Sequence, residues 1–399
     1  MKRISRLVIF ALASMLISCG FTATALARPP KILEATVAAA GDIMTMPRQL
    51  STHYNSATKK YDFTGDYTYI KPMLEAADLS IGNFESTFSN KKIIDSKSPP
   101  RFSVPDALAD GLKYAGFDIL NFANNHVNDF GDTGIFRTLS VLKSRGFDIT
   151  GMRAKAGDKN YVVKEANGIK IGFTGYTFQT SRSKNGIKTI NGHRMTRTTS
   201  GLLNSFSHAF NSTNAGEMNS TIQKMRNDGA EFIIFYLHWG RENTTKLNAE
   251  QTRIAQHLAN REVDVIFGMH PHILQQIRMV KSQGSSHKTL VFYSLGNLIS
   301  NMGGMHSGLD NTDTMLAGIR IVKDTVTGDV TLGEAGYLPA TNLRTGKWYP
   351  IVPVKKADGS IPYPQAYSRI NKVVGASARA ITGIKVREWL NPESFSRNK

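Results

Sequence analysis

The chain has 399 residues, which is enough for one large domain or two ordinary ones. Hydrophobic residues make up 41% and charged residues 20%, a composition that excludes an intrinsically disordered chain. The net charge is +18, but the basic residues are spread without a run typical of a nucleic-acid-binding arm, so no nucleic-acid partner is expected. The positive charge either serves solubility or favours anionic partners such as acidic polymers, lipid headgroups or phosphate-rich material.

Residues 1–27 have the pattern of an export signal. A basic start precedes an apolar run over residues 7–17, which is too short to span a bilayer. Two cleavage patterns follow: residues 25–27 have the small-x-small spacing of a general signal peptidase site, and residues 16–20 resemble a lipobox in which Cys19 would be lipidated. Cys19 is the only cysteine, so no disulfide is expected. We expect an exported protein, periplasmic or lipid-anchored at the extracytoplasmic face of a bacterial membrane.

Beyond the signal, predicted strands and helices alternate. The elements predicted up to residue 151 are strand 32–40, helix 67–77 with Asp66 as its N-cap, strand 78–83, helix 105–114 ended by Gly116, strand 117–122, helix 132–143 and strand 148–151. Those predicted further on are a hairpin in 161–175 turning at Asn167-Gly168, a polar insertion 179–215 near the site mouth, helix 216–227, strand 232–237, helix 247–260, and strands 263–267, 273–280, 289–295, 315–322 and 330–337. The alternation predicts a layered α/β domain.

Five short segments place polar residues where an apolar strand ends. They are Gly41-Asp42, Gly82-Asn83-Phe84-Glu85, Asn124-Asn125-His126, His238-Trp239-Gly240 and Gly268-Met269-His270-Pro271-His272. Ligands of open α/β sheets bind beyond the carboxyl ends of the strands. Alone, each segment could be a turn, a capping loop or a structural histidine. Together they would bury too many polar groups without a partner, and a divalent cation would neutralise the carboxylates and accept imidazole lone pairs.

The segment His270-Pro271-His272 carries the most information of the five. Two histidines one residue apart on an extended strand would face opposite ways. Pro271 stiffens the bend, so both rings could reach one ion or two neighbouring ions. The remaining histidines are interpreted as structural or surface residues; they are His53, His193, His208, His257, His287 and His306.

The order of the motifs resembles a known family. Gly41-Asp42-Ile43-Met44, Gly82-Asn83-Phe84-Glu85, Ala123-Asn124-Asn125-His126, Asp129-Phe130-Gly131, His238-Trp239-Gly240, Gly268-Met269-His270-Pro271-His272 and Tyr293-Ser294-Leu295-Gly296-Asn297 look like the motifs of the poly-γ-glutamate capsule biosynthesis (CapA) family. That family belongs to the calcineurin-like metallophosphoesterase superfamily. Over residues 33–345, the resemblance implies a metallophosphoesterase-like four-layer α/β/β/α sandwich, with 346–399 as a C-terminal extension.

The resemblance also implies roles for individual residues. As metal ligands it implies Asp42, Glu85 (or Asn83 beside it), Asn125, His238, His270 and His272. It makes His126 the proton donor to the leaving group. It puts Asn83, Asn124, Ser294 and Asn297 in the wall of the site or behind its ligands. The cofactor would be one or more divalent ions, with Mn, Fe or Zn all compatible.

Two positions depart from the superfamily pattern. Met44 stands where a histidine is usual, and Asn83 stands where an aspartate is usual. A mononuclear site and a dinuclear site bridged by Glu85 both stay open.

The function implied is biosynthesis or export of a capsule or other anionic polymer of the poly-γ-glutamate type, with a membrane-bound synthesis complex as a partner. One alternative is an active metal-dependent phosphoesterase or hydrolase of an extracytoplasmic substrate. Another is a non-catalytic polymer-binding module at the wall or membrane surface.

Overall fold

The computed structural model describes residues 31–91 and 100–396. The export-signal pattern and Cys19 lie outside these residues. No helix in the described part of the chain is both long and apolar enough to cross a membrane.

The strands up to residue 238 are β1 (Ile32–Ile43), β2 (Tyr54–Asn55), β3 (Lys60–Tyr61), β4 (Leu79–Phe84), β5 (Ile119–Asn121), β6 (Asp148–Thr150), β7 (Tyr161–Ala166), β8 (Ile169–Gln179), β9 (Ser181–Arg182), β10 (Lys188–Ile190), β11 (His193–Arg194), β12 (Ser205–Ser207) and β13 (Phe232–His238). The later strands are β14 (Val265–Met269), β15 (Ile277–Lys281), β16 (Lys288–Phe292), β17 (Asn297–Ile299), β18 (Met305–His306), β19 (Leu309–Asp310), β20 (Asp313–Asp324), β21 (Val330–Asn342), β22 (Ile351–Pro353) and β23 (Lys385–Glu388).

The helices are α1 (Pro47–His53), α2 (Thr64–Tyr67), α3 (Lys71–Ala76), α4 (Ala107–Ala115), α5 (Gly131–Ser144), α6 (Arg197–Leu202), α7 (Ser212–Asn227), α8 (Ala249–Ala259), α9 (Pro364–Ile370), α10 (Ala376–Arg379) and α11 (Pro392–Phe395), with a π-helical turn at Asn371–Gly375.

Two large mixed sheets contain most of the strands. The first has the order β22-β21-β20-β1-β4-β5-β6, and β17 and β23 pair with β1 and β21. The second has the order β12-β8-β13-β14-β16-β15, and β7 pairs with β8. Strands β1, β4, β5 and β6 run parallel in the first sheet, and β8, β13, β14 and β16 run parallel in the second. Each sheet therefore gathers several strand carboxyl ends along one edge.

Three separate hydrophobic cores define four layers. Successive residues of β1 alternate between two of them: Ala38 packs with helices α4 and α5, while Val37 and Ala39 pack against residues of the second sheet. The third core joins the outer face of the second sheet to α7 and α8 through residues such as Phe235. Since side chains of a strand alternate between faces, each sheet buries both faces. The chain forms a four-layer α/β/β/α sandwich, which confirms the fold class.

The predicted helix 67–77 with Asp66 as its N-cap is wrong. The segment forms two short helices, α2 and α3, and Asp66 is buried inside α2. Pro72 lies in the first turn of α3, where its missing N–H costs nothing, whereas its ring would clash inside a continuous helix. Gly116 does end α4, with the left-handed φ of 100° that a glycine C-cap adopts.

Residues after 345 pack against the first sheet. Strands β22 and β23 pair with β21, so they widen the sheet beyond residue 345. Trp389, which follows β23, is buried over Gly318 and Gly336, where a Cβ would lie within about 2.2 Å of the indole ring. The absence of a side chain at these two glycines makes the space that the indole fills.

Candidate metal centre

The carboxyl ends of strands from both sheets meet at one cluster of buried polar side chains. In the first sheet, Asp42 of β1 is in register with Asn83 of β4 and with Asn297 of β17. In the second sheet, His238 ends β13 and is in register with Met269 of β14, just before His270. The predicted site residues on these strands are therefore neighbours in space.

Asp42 is fully buried and forms the centre of the cluster. Its Oδ1 accepts a hydrogen bond from Asn83 Nδ2 at 2.7 Å, and its Oδ2 accepts one from the main-chain N–H of His270 at 3.1 Å. The loop before Asn297 approaches so closely that a Cβ at Gly41 would lie 1.9 Å from the carbonyl oxygen of Gly296. A glycine at position 41 is therefore required for β1 to deliver Asp42 to this position.

Asn83 orients its neighbours through both ends of its amide. Its Nδ2 donates to Asp42 and lies 3.3 Å from His238 Nδ1, and its Oδ1 accepts from Asn121 Nδ2 at 2.8 Å. Asn121 ends β5 and also donates to the carbonyl of Ala123. The oxygen of Asn83 already accepts a hydrogen bond, so Asn83 is suited to holding Asp42 in place. The residue of this motif that offers a carboxylate is Glu85.

Glu85 is fully buried, and neither carboxylate oxygen has a hydrogen-bond partner. Burial, together with the negative charge of Asp42, raises the pKa of Glu85 well above its usual value. A buried carboxyl group without donors is costly unless a cation or a proton accompanies it. The nearest imidazole nitrogen is His238 Nε2, 3.4 Å from Oε1.

His238 lies between the two sheets. Its Nε2 is 2.9 Å from Asn125 Oδ1, and its Nδ1 is 3.9 Å from Asp42 Oδ1. Burial and the neighbouring imidazoles of His270 and His272 lower the pKa of His238 well below its usual value. The ring is therefore neutral, which is the form that binds metals.

His270 and His272 are turned into the cluster by unusual backbone angles. Their φ values are 92° and 56°, in the left-handed region that residues with a side chain seldom adopt. Their ring centroids are 5.8 Å apart. Both rings therefore lie at the same cluster of buried side chains, and the turn is made by two residues with left-handed backbone angles around Pro271.

The two histidines differ in hydrogen bonding. His270 Nδ1 is buried without a partner, and burial and the ring of His272 lower the pKa of His270. His272 Nδ1 contacts Asn297 Oδ1 at 2.9 Å and Asp42 Oδ2 at 3.2 Å. Burial opposes protonation of His272, but the hydrogen bond and charge of Asp42 outweigh it and raise its pKa. Asn297 also donates to the carbonyl of His272, so it fixes both the ring and the backbone.

His126 lies beside the cluster and is paired with an aspartate. Its Nδ1 is 2.9 Å from Asp129 Oδ2, and its ring packs on Phe102 with 4.5 Å between the centroids. Asp129 also accepts from the main-chain N–H of Phe102 at 2.6 Å. With Nδ1 engaged, Nε2 is the ring nitrogen left for another partner.

Three further predicted positions have local roles. Asn124 donates to the carbonyl of Phe84 at 2.7 Å and accepts from the N–H of His126, so it fixes the loop that carries His126. Ser294 accepts from the N–H of Gly296 and shapes the loop before Asn297. Met44 is buried, and its main-chain N–H donates to Ile299.

Two groups of three side chains have the spacing of a metal site. Glu85, His270 and His272 form one group, and Asp42, Glu85 and His238 form the other, with the ligand atoms of each group within 4.8 Å of one another. Glu85 belongs to both groups. The donor set fits a divalent cation, because imidazole nitrogens and carboxylate oxygens suit Zn, Mn or Fe, and because Glu85 and His270 have ligand atoms without protein partners.

The sequence reasoning missed several residues that support the cluster. Asn121 holds Asn83, Asp129 orients His126, and Asn311 donates to the carbonyl of His272 at 3.1 Å. Phe178 of β8 packs on His270 with 4.7 Å between the ring centroids. Asn121 had a signal in the sequence, since it ends a strand like the five segments that were recognised.

Comparison with known proteins places this arrangement in a family. The sequence model described as "Bacterial capsule synthesis protein PGA_cap" matches residues 36–302, which is more than half of the chain. The chain belongs to this family. It is 27% identical over 275 residues to the capsule biosynthesis protein CapA of Bacillus anthracis, covering 67% of this chain and 60% of that protein. It is 26% identical over 266 residues to the PGA biosynthesis protein CapA of Bacillus subtilis strain 168, covering 66% of this chain and 62% of that one.

The matches thus span about 60% of the length of these relatives. Among solved structures, the chain is similar to a phosphatase from Mycoplasma pneumoniae, with a TM-score of 0.40, 16% identity, and coverage of 77% of this chain and 95% of that one. It is also similar to the sulfate thiohydrolase SoxB of Thermus thermophilus, with a TM-score of 0.35, 14% identity, and coverage of 74% and 42%. These scores are low, and the four-layer fold is evident from the sheets and cores themselves.

Proposed function

We propose that this family member acts in the synthesis or export of an anionic capsule polymer of the poly-γ-glutamate type, and that its strand-end cluster binds divalent metal for hydrolytic chemistry. The family and the candidate ligand set support the polymer context and the metal. The positive net charge of +18 would attract an acidic chain.

Glu85 is the observation that carries the metal proposal. Its two oxygens are buried and have no donors, and it is shared by both groups of candidate ligands. Protonating the carboxyl group would relieve the charge and allow a hydrogen bond to Asp42, but the other oxygen of Glu85 would still have no donor. A cation between Glu85 and the imidazoles would relieve both the charge and this deficit. Because both groups include Glu85, this carboxylate would help to hold a cation at either of them.

A divalent cation held by these residues would activate a water molecule at neutral pH and stabilise negative charge on the group attacked. The protein side chains then have separable tasks. Asp42 and Glu85 would hold the cation, and the imidazoles of His238, His270 and His272 would complete the ligand set. Asn125, whose oxygen points at His238 Nε2, is close enough to act as an amide ligand or to orient the ring.

His126 is suited to transfer a proton. Asp129 contacts Nδ1 and fixes the orientation of the ring, while Nε2 stays available. In hydrolysis of a phosphoester or an amide, Nε2–H would donate its proton to the leaving oxygen or nitrogen as the bond to it breaks. The packing of His126 on Phe102 restricts its rotation.

The metal proposal is tested by elemental analysis of the purified chain. We expect a stoichiometric transition metal that is lost in His270→Ala and retained in the control His287→Ala, because His287 lies in the turn before β16 and contacts a main-chain carbonyl. A chain that takes up no metal, and whose thermal stability is unchanged in chelator, would disprove the site.

Catalysis is tested separately with an aryl phosphate and with γ-linked glutamate oligomers. We expect metal-dependent turnover of at least one, reduced by about 100-fold or more in His126→Ala. Metal-loaded protein without turnover of either would favour the second candidate, a polymer-binding or assembly component, which the family description supports.

Export and lipid attachment are also proposed, from residues 1–27 alone. Incorporation of a labelled fatty acid that disappears in Cys19→Ala would support a lipid anchor, and label-free protein would contradict it.

A further inference from the structure

A second concave surface lies outside the metal centre. It is a cleft of about 570 Å³ between the polar insertion and helix α7, called here the basic cleft. Its charged lining consists of Arg153, Arg182, Lys188, Lys224 and Glu217. Four basic side chains therefore face one carboxylate, an imbalance that favours anions.

Lys188 is the least expected member of this lining. It is only 6% exposed, and its Nζ donates to the main-chain carbonyl of Leu203. An ammonium group has three donors, so one neutral acceptor leaves it under-satisfied. Burial, helped by the charge of Arg182, lowers the pKa of Lys188 to about 7. An anion in the cleft would supply the missing acceptors and charge.

The two arginines are also incompletely balanced. Arg153 donates one guanidinium nitrogen to the carbonyl of Gly201, but its Nε is buried without an acceptor. Arg182 forms a two-point ion pair with Glu217, with N–O distances of 3.0 and 3.3 Å. This pair has the geometry with which an arginine binds a carboxylate, and it neutralises only one of the four cations.

Strand β8 contributes one residue to the basic cleft and one to the surroundings of the candidate metal centre. Tyr176 lines the cleft, and Phe178 packs on the ring of His270. Both side chains contribute to the outer core of the second sheet and so share one face of the strand. Two residues along a strand are about 7 Å apart, so the two positions of β8 that contact these sites are close along the backbone.

We propose that the basic cleft binds side-chain carboxylates of an acidic polymer while a neighbouring segment of the same chain lies at the metal centre. The identity of the polymer rests on the proposed function; the anionic character of the ligand rests on the cleft alone. Several spaced cations in an open volume suit a chain with repeated charges better than one compact ion. The pair of Arg182 with Glu217 shows that a carboxylate is accommodated at this wall of the cleft.

The test is equilibrium binding of a fluorescent γ-linked glutamate decamer to the full chain after removal of metal. We expect saturable binding that weakens with added salt and that falls by about 10-fold or more in Lys224→Glu. The matched control is Lys143→Glu, since both lysines are exposed and lie in the last turn of a helix, and it should bind like the unmodified chain. Equal binding by both variants, or no binding to the unmodified chain, would overturn the proposal.

Lys188→Met examines the buried group directly. It keeps the length of the side chain and should reduce decamer binding at pH 6, where the lysine is charged. If Lys188→Met does not fold, Lys224→Glu still decides the outcome. Inorganic phosphate is the competitor: tight phosphate binding without decamer binding would overturn the carboxylate assignment.

Failure of this proposal can be told apart from failure of the proposed function. Decamer binding without metal uptake would contradict the proposed metal centre and support the proposed basic cleft. Metal uptake and turnover, with decamer binding unaffected by Lys224→Glu, would support the metal centre and contradict the basic cleft.

Discussion

Within the described part of the chain, two buried groups of histidine and carboxylate side chains differ in their hydrogen bonding. In the first group, His53 Nδ1 donates to the carbonyl of Gln49 at 2.5 Å and His53 Nε2 contacts Asp66 Oδ2 at 2.7 Å. The other oxygen of Asp66 accepts from the main-chain N–H of Tyr349 at 2.7 Å. Burial raises the pKa of Asp66, although His53 and Tyr349 partly offset this. Every ring nitrogen and carboxylate oxygen of this pair has a protein partner.

In the candidate metal centre, by contrast, several buried polar atoms have no protein partner. Both oxygens of Glu85 and Nδ1 of His270 are without partners. Residue types and burial are the same in the two groups, so neither distinguishes a structural pair from a ligand site. The difference lies in whether the protein itself saturates the polar atoms. The first pair joins helices α1 and α2 to the segment before β22, whereas the second group contains buried polar atoms that no described residue pairs with.

The largest expected effect on stability comes from breaking the His53–Asp66 pair. Asp66→Ala removes the partner of His53 and of the N–H of Tyr349, leaving buried donors unpaired. We expect a loss of about 3–5 kcal/mol in the free energy of unfolding, measured by chemical denaturation, with metal affinity unchanged. Asp66→Asn keeps an acceptor for Tyr349 and should lose less. A loss below about 1 kcal/mol for Asp66→Ala, or a fall in metal affinity, would show that the two groups do not differ as described.

The complementary change is Glu85→Gln in the unsaturated group. It preserves shape but removes the charge shared by both candidate ligand groups, so metal affinity should fall by about 100-fold or more. Because the unmodified carboxyl group has a raised pKa and no donors, the metal-free variant should be as stable as the unmodified chain or more stable. Titration against a chromogenic chelator measures the affinity, and denaturation of the metal-free proteins measures the stability. Large destabilisation without change in affinity would make Glu85 a structural residue.

The contrast between the two groups also explains which features of the site could be predicted from the sequence. Asp42, Glu85, His238, His270 and His272 were predictable because polar residues at the ends of apolar strands converge in any parallel sheet. The left-handed backbone angles of His270 and His272 could not be predicted, because these residues contact Asp42 and Asn297, which belong to the other sheet.

The misassigned helix has the same origin. Asp66 fits the local rule for a helix N-cap, but its partner Tyr349 is 283 residues away. Asp129 was recognised only as part of a motif, and its hydrogen bond to His126 became evident from the fold. Local patterns therefore predicted which residues converge, and long-range partners determined which of them are saturated.

The smallest effect is expected at Asn297. This residue gives His272 Nδ1 a hydrogen-bond partner, as in the His53–Asp66 pair, but it does not contact the other ring nitrogen of His272. Its oxygen holds the ring of His272, so Asn297→Ala should weaken metal binding by about 10-fold while stoichiometry at saturating metal is kept. The matched control is Asn342→Ala, since Asn342 is another buried amide that donates to two main-chain carbonyls, those of Leu298 and Tyr349. Both variants should lose similar stability, but only Asn297→Ala should lose affinity. Equal affinities in the two variants would mean that His272 needs no orienting partner, and that an open ligand atom alone makes the site.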